Sequence, residues 1–220
     1  MPPSSASQRQ VRTRYAGSSL ATLTPCPTAD VARMASAAAP ERRRPRVLLG
    51  LSGSVACVKA ELLVEALSRF ADVRVVATPA ALRFFDSPPP DAAAPPHRVL
   101  AGAPLLTDAA EWAAWRVVGD TVAHIALRRW ADVLLVAPLS ANSLAKLAGG
   151  LCDNLLTCVA RAWDYDKPVL VAPAMNTAMW RSPFTARHLA VLAELGVRVV
   201  QPVSKRCVRR ARSRGCVRFC

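Results

Sequence analysis

The sequence lacks the features that would place the chain in a membrane or build it around metal or disulfide bonds. No apolar run reaches the roughly 18–20 residues needed to cross a bilayer, so we expect a soluble protein without a membrane span. The seven cysteines show neither a CxxC pair nor paired zinc-ligand spacing. We therefore expect no metal site and no disulfide framework. Cys57, Cys152 and Cys158 are predicted to be small core residues of a reduced compartment.

Acidic residues are scarce at both ends of the chain, and this shortage accounts for most of the net charge of +14. Residues 1–45 carry +5 and residues 201–220 carry +7, which leaves +2 for the residues between them. A nucleic-acid-binding surface needs its positive charges on a folded face. Because the central part is nearly neutral, we expect no nucleic-acid partner.

Two changes of composition divide the chain into three parts. Residues 1–45 are rich in Ser, Ala, Pro and Arg, have no apolar periodicity, and are predicted to be a disordered N-terminal extension. Two interpretations of this extension stay open: an organelle transit peptide, or a segment ahead of a working start at Met34. We expect a cytoplasmic location. Residues 46–203 form the predicted domain, and residues 204–220 are a divergent basic tail.

Short apolar runs alternate with helical stretches in residues 46–203, which predicts an α/β domain with a parallel sheet covered by helices on both faces. The predicted strands are Val47–Leu51, Val73–Ala77, Val133–Ala137, Val169–Ala172 and Val197–Val200. The predicted helices are Val55–Phe70, Asp108–Trp115, Val122–Trp130, one that runs to Ala148, and Phe184–Leu195. The five prolines of Pro88–Pro96 predict a surface insertion without regular structure.

Three predicted strands end in loops of small and polar residues, Gly50–Val55, Ala137–Ser143 and Ala172–Trp180. Because ligands of open α/β sheets bind at the carboxyl ends of strands, these loops could define one pocket. The first loop suits a phosphate, although it is neither a GxGxxG nor a P-loop motif. Structural explanations stay open for all three: a tight turn, a helix cap by Ser140 or Asn142, and plain core packing of the Met and Trp side chains.

His124 lies on the predicted helix Val122–Trp130 and is the histidine with the clearest chemical potential. A neutral imidazole can take a proton from a thiol, or orient a carboxylate, near neutral pH. A purely structural role on an amphipathic helix is the alternative. His97 and His188 show no partners in the sequence and are predicted to be solvated.

Five motifs in a fixed order resemble the homo-oligomeric flavin-containing cysteine decarboxylases, and among them the eukaryotic, plant-like phosphopantothenoylcysteine decarboxylases. The motifs are Gly53–Val55, His124–Asp132, Pro138–Asn142, Gly150–Thr157 and Pro173–Trp180. The resemblance implies a three-layer, flavodoxin-like, Rossmann-type fold, FMN bound between subunits, and a homotrimer. It also implies decarboxylation of 4'-phosphopantothenoyl-L-cysteine to 4'-phosphopantetheine in coenzyme A biosynthesis.

The resemblance implies a role for each matching residue. His124 would be the catalytic base, Asn176 would bind the substrate carboxylate, and Met179 would shape the same pocket. The residues implied to hold FMN are Gly53, Ser54, Val55, Thr78, Ser140, Ala141, Asn142, Ser143 and Ala174. Arg129 is a candidate for subunit contacts.

The sequence departs from the family near its end. In the family, flavin oxidises the substrate thiol to a thioaldehyde, carbon dioxide leaves as an enethiolate forms, and a flap cysteine donates the final proton. Cys207 lies near the expected position of that cysteine, but the residues around it do not match, so the role is not transferred. We expect FMN binding and thiol oxidation to survive better than full turnover. A smaller departure is Ala126, where the family usually has an acid.

Two other functions fit the same residues. One is a non-catalytic FMN-binding subunit that joins trimers or regulates a partner. The other is a nucleotide-binding α/β protein without flavin, which the absorption bands of bound flavin would exclude.

Overall fold

The computed structural model describes residues 43–85 and 98–202, and these residues belong to one compact unit built around a single sheet. The sheet has seven strands in the order β3-β4-β2-β1-β5-β6-β7. Their bounds are β1 Arg46–Leu51, β2 Asp72–Ala77, β3 Arg98–Leu100, β4 Ala103–Leu106, β5 Val133–Leu139, β6 Val169–Pro173 and β7 Arg198–Val199. All pairings are parallel except that of β3 with β4.

Helices connect the parallel strands and cover both faces of the sheet. They are α1 Ala60–Ser68, α2 Pro79–Phe85, α3 Asp108–Ala114, α4 Ala123–Trp130, α5 Ala141–Gly149, α6 Leu155–Arg161, α7 Thr177–Trp180 and α8 Pro183–Glu194. The helix predicted over Val55–Phe70 is divided, because Val55–Lys59 forms a 3-10 helix before α1 begins. Ser54 caps this tight first turn, its Oγ accepting from the amide of Ala56 at 3.4 Å.

The apolar residues of the sheet divide into two buried clusters, one against each helical layer. Leu48 of β1 belongs to one cluster, and its neighbours Leu49 and Leu51 belong to the other; none of the three is exposed. Side chains on successive residues of a strand point to opposite faces, so a strand buried on both faces is apolar throughout. This arrangement confirms the predicted α/β fold with helices on both faces of the sheet.

Several sequence-based predictions fail or lie outside the described residues. Cys57 is buried as predicted and Cys158 is half-buried, but Cys152 is exposed, because it lies in the loop that follows the left-handed cap of α5 at Gly150. His188 is half-buried rather than solvated, since its ring packs 6.0 Å from that of Phe184. His97, Cys207, the extension 1–42, the Pro88–Pro96 insertion and the tail 204–220 fall outside the described ranges.

Strands β3 and β4 were not predicted from the sequence. They form an antiparallel hairpin, turned at Ala101 and Gly102, that adds β4 beside β2 and β3 at the edge of the sheet. Within residues 43–85 and 98–202, no helix is long and apolar enough to span a bilayer.

Candidate functional site

Hydrogen bonds join the three strand-end loops to one another. Ser52, which is fully buried, donates its hydroxyl to the carbonyl of Pro138 at 2.9 Å and accepts from the amide of Ser140 at 2.7 Å. The Ser54 hydroxyl donates to the carbonyl of Ala174 at 3.0 Å, and the Ala174 amide donates to Leu139 at 2.8 Å. The loops after β1, β5 and β6 are therefore held as one unit.

The three loops surround a cavity of about 600 Å³ at the carboxyl ends of the strands. This volume lies within the range of roughly 300–1,000 Å³ that is usual for small-molecule and cofactor sites. Of the residues predicted for cofactor and substrate binding, all eleven line the cavity: Gly53, Ser54, Val55, Thr78, Ser140, Ala141, Asn142, Ser143, Ala174, Asn176 and Met179.

Two of these polar residues also cap helices, so the structural and functional interpretations are compatible. The Ser140 hydroxyl accepts from the amide of Ser143 at 3.2 Å, at the start of α5. The Asn176 side-chain oxygen accepts from the amide of Met179 at 2.9 Å, at the start of α7. Because that oxygen is occupied by the cap, the NH₂ group of Asn176 is the part suited to donate to a ligand carboxylate.

Gly53 brings the first loop against the helix that follows β2. A Cβ atom at this position would lie 2.7 Å from the Cβ of Ala80, which is closer than real contacts allow. A glycine is therefore required for the backbone to approach α2, with Ala80 and Thr78 on the same cavity wall. This requirement explains the small residue without invoking a ligand.

An ion pair between a lysine of the cavity wall and an aspartate outside it was not predicted from the sequence. Lys146 of α5 lines the cavity, and its Nζ lies 2.5 Å from Oδ2 of Asp153. The hydrogen bond from Lys146 holds the pKa of Asp153 below its usual range. Asn154, which also lines the cavity, donates to the same carboxylate at 3.0 Å. The i+3 and i+4 spacing of Lys146 from Ser143 and Asn142 was the available sequence signal.

His124 is the exception among the predicted site residues, because it does not line this cavity. It lies on α4 and is half-buried, and its Nδ1 is 2.9 Å from Oε1 of Glu111 on α3. The sequence predicted no partner for His124, since Glu111 lies thirteen positions earlier in the chain, on a different helix. Within the single chain, the predicted base and the predicted binding residues occupy different places.

The donor set of the cavity fits a phosphorylated flavin. The hydroxyls of Thr78 and Ser143 can donate hydrogen bonds to a phosphate, and Lys146 supplies a positively charged side chain. Apolar side chains form the remaining wall and suit an aromatic ring system; they are Val55, Val58, Phe84, Met175 and Met179. A doubly wound sheet with such a cavity at its strand ends defines a class of nucleotide- and flavin-binding proteins.

Comparison with known proteins narrows that class. The sequence matches the flavoprotein family over residues 35–215, and the chain belongs to this family. It is 56% identical to phosphopantothenoylcysteine decarboxylase HAL3a of Glycine max over 173 residues, 79% of this chain and 77% of the relative. It is 47% identical to the phosphopantothenoylcysteine decarboxylase of Mus musculus over 186 residues, 84% of this chain and 82% of the relative.

Solved structures show the same similarity. The FMN-binding protein AtHal3 superposes with a TM-score of 0.68 at 50% identity, over 80% of this chain and 90% of that chain. A cysteine-to-serine mutant of a phosphopantothenoylcysteine decarboxylase, complexed with pantothenoylaminoethenethiol, superposes with a TM-score of 0.67 at 54% identity. That match covers 76% of this chain and 86% of that chain.

Proposed function

We propose that the chain carries out FMN-dependent decarboxylation of 4'-phosphopantothenoyl-L-cysteine to 4'-phosphopantetheine in coenzyme A biosynthesis, and that loss of the family's C-terminal flap impairs the last step. The observation that carries the proposal is the meeting of eleven expected binding residues in one cavity. The similarity to phosphopantothenoylcysteine decarboxylases of plants and mouse supports the substrate.

Some residues of the cavity bind FMN, and others bind and orient the substrate. FMN, when bound, would accept two electrons from the thiol-bearing carbon of the substrate, and this oxidation lets the cysteine carboxylate leave as carbon dioxide. Ser54 and its neighbours at the end of β1 hold the phosphate side of the cofactor, and the loop after β5 holds the remainder. The NH₂ group of Asn176 binds the substrate carboxylate. This contact aligns the bond between the carboxylate and its carbon with the π-system of the oxidised carbon–sulfur group. Met179 provides the apolar wall that excludes water.

The position of His124 supports an assembly in which two protomers build one site. His124 is half-buried on α4 and does not line the cavity of its own chain, so we infer that the base for that cavity comes from a second copy. Apolar side chains stand exposed near both places, with Val58 62% exposed beside the cavity, and Trp112 72% and Val118 94% exposed on and after α3. We infer a homotrimer, which closes such head-to-tail contacts into a ring. Arg129, exposed on α4, belongs to the same interface.

The residues around Cys207 differ from the family's segment that carries the proton-donating cysteine. This difference affects the last step of the reaction, the proton transfer to the product. One relative with a cysteine replaced by serine is complexed with pantothenoylaminoethenethiol, an enethiol. An enethiol is the expected product when oxidation and decarboxylation proceed and the final reduction does not. We infer that this chain, whose residues around Cys207 differ from the family's donor segment, forms more enethiol than reduced thiol, with the two electrons of the oxidation left on the flavin.

A flavin spectrum together with a substrate assay tests the proposal. The purified protein should show flavin absorption bands, and incubation with 4'-phosphopantothenoyl-L-cysteine should yield a product lighter by carbon dioxide and two hydrogens, detected by mass spectrometry. A fully reduced product would contradict the loss of the donor. A colourless protein that does not bind added FMN would overturn the proposal. Bound flavin without any loss of carbon dioxide would favour the non-catalytic FMN-binding subunit.

The variant Asn176→Asp tests the role of this side chain separately from FMN binding. This variant keeps an oxygen that can cap α7 but replaces the NH₂ donor with a negative charge, so it should bind FMN and fail to release carbon dioxide. Unchanged decarboxylation by Asn176→Asp would contradict the role of this side chain.

A further inference from the structure

Glu111 makes two contacts with His124 through a single oxygen atom. Its Oε1 lies 2.9 Å from Nδ1 of the imidazole ring and 3.4 Å from the backbone nitrogen of the same residue. The two side chains are 15% and 28% exposed, so the contact is largely shielded from water. A shielded hydrogen bond to a charged acceptor is stronger than one on the open surface.

The helix that carries Glu111 is fixed to the rest of the domain. Thr107 caps α3, its hydroxyl accepting from the amide of Ala110 at 3.3 Å. Asp108 in the first turn of α3 accepts from the amide of Leu155, the first residue of α6, at 2.9 Å. Burial raises the pKa of Asp108, and its hydrogen bond from Leu155 opposes that rise. Glu111 therefore projects from a short helix that is tied to α6 and has little freedom to move.

The backbone contact has a structural explanation of its own. The N-cap of α4 is Val122, which has no side chain that can accept a hydrogen bond. The first amides of a helix lack partners within it, and Glu111 supplies one to His124 from outside. This cap accounts for the backbone contact but not for the closer contact with Nδ1.

The contact with Nδ1 determines the chemistry available to the ring. A carboxylate accepts hydrogen bonds and cannot donate them, so the Nδ1 of a neutral imidazole beside it must carry the proton. Nε2 is then the unprotonated nitrogen and the one that can accept a proton from substrate. Ala126 stands two residues beyond His124, so the helix itself offers no acid at that position.

We propose that Glu111 is a positioning residue: it holds His124 with the proton on Nδ1 and Nε2 free to act as the base. The tautomer rests on the contact shown here, and only its catalytic use rests on the proposed function. Glu111 acts through His124 and is not assigned any contact with substrate or cofactor.

Nitrogen NMR of the full chain, labelled with [15N]histidine, tests the tautomer. In the neutral form of the ring, the nitrogen signals of His124 should show a protonated Nδ1 and an unprotonated Nε2. A His124→Asn variant assigns the signals among the three histidines of the chain. Glu111→Ala should shift His124 toward the tautomer with the proton on Nε2. A wild-type His124 with that tautomer, or one unaffected by Glu111→Ala, would overturn the proposal.

Two further variants separate positioning from charge and from helix capping. In Glu111→Gln, the side-chain oxygen can still accept hydrogen bonds from the backbone amide and from Nδ1 of His124. This variant should therefore retain the wild-type tautomer. Glu194→Ala removes an exposed glutamate at the end of α8 and should change nothing. A Glu111→Gln variant that loses the tautomer as completely as Glu111→Ala would contradict the role of the accepting oxygen.

The catalytic use of the tautomer needs a separate readout. Glu111→Ala should lower the kcat for carbon dioxide release roughly 10- to 100-fold, less than the full contribution of about 10²–10⁴ from a general base, with little change in KM. Glu111→Gln should restore most of this loss. If the tautomer shifts as expected while wild type releases no carbon dioxide, the proposed function fails and the positioning contact stands. An unchanged kcat in Glu111→Ala would overturn the catalytic use.

Discussion

At the residue scale, Ser52 shows how one buried hydroxyl can hold two loops of a site together. Replacing Ser52 with Ala leaves the buried amide of Ser140 without its acceptor and removes a donor from Pro138. A buried polar group without a partner costs about 1–3 kcal/mol, so the free energy of unfolding should fall by that amount. Urea denaturation followed by an FMN titration measures the loss of stability and the weaker binding that should accompany it.

The control for that experiment is Ser68→Ala. Ser68 is exposed at the end of α1, and a surface substitution of this kind usually changes stability by less than about 0.5 kcal/mol. Equal effects of Ser52→Ala and Ser68→Ala would show that the bridge between the loops is not needed.

Two glycines give a second prediction at this scale. Gly53→Ala should destabilise the domain by about 1–3 kcal/mol and weaken FMN binding, because its Cβ would meet the Cβ of Ala80 at 2.7 Å. Gly149→Ala is the matched variant, since the new Cβ would meet only the flexible tip of Leu151 at 3.0 Å. Thermal unfolding of both variants, with and without FMN, checks the difference. A neutral Gly53→Ala would contradict the close packing of the first loop against α2.

The sequence predicted the residues of the cavity better than it predicted side-chain contacts between helices. Strand ends can be located from apolar runs, so the loops at Gly53, Ser140 and Ala174 could be expected to meet. The contact between Glu111 and His124 depends on how two helices pack, and nothing in a single sequence gives that distance. Local motifs are visible in the sequence, whereas contacts between helices are not.

At the element scale, β1 and the turn before β5 are joined at the end of the sheet opposite the cavity. Asp132 accepts from the side chain of Arg43 at 2.8 Å and from the backbone amide of Arg46 at 2.8 Å. The hydrogen bond from Arg43 is the main reason that the pKa of Asp132 lies below its usual value. The pair is partly exposed and screened by water, so its contribution to stability is small.

This depressed pKa gives a prediction about pH. As the pH falls, the unfolded chain binds the proton at Asp132 first, near the ordinary value of about 3.9, while the folded chain resists it. The stabilisation is therefore present above that pH and is lost as the pH falls through the lower folded value. Asp132→Asn should reduce the urea midpoint at pH 7, and this reduction should become smaller as the pH falls below about 3.9. Asp166→Asn, at an exposed position, is the control.

The elements that the sequence did not predict, β3, β4 and α6, give no periodic pattern of apolar residues. The strands β3 and β4 are only three and four residues long, and β4 contains Pro104, so neither leaves an apolar run that stands out. Helix α6 has Leu155, Leu156, Thr157, Val159 and Ala160 all buried. A helix buried on most of its surface has no apolar stripe and gives no helical periodicity. The long central strands were predictable because burial on both faces makes them continuously apolar.

At the scale of the whole molecule, the proposed assembly predicts complementation between two inactive variants. If one protomer supplies His124 and another supplies Asn176, then mixed trimers of His124→Asn and Asn176→Asp chains contain some sites with both native residues. Random mixing of equal amounts should restore about a quarter of the sites. Carbon dioxide release after denaturing and refolding the two variants together measures this recovery. Separately refolded and then mixed samples are the control, and an absence of recovery would contradict a site shared between protomers.

Cys57 lies fully buried beneath the first loop, where its thiol donates to the carbonyl of Ser52 at 3.2 Å and burial raises its pKa to about 11. Alkylating reagents attack thiolates, so near neutral pH they should modify the exposed Cys152 and spare Cys57 for as long as the loop stays closed. The rate at which Cys57 is alkylated therefore measures how often the first loop opens. Bound FMN should lower this rate.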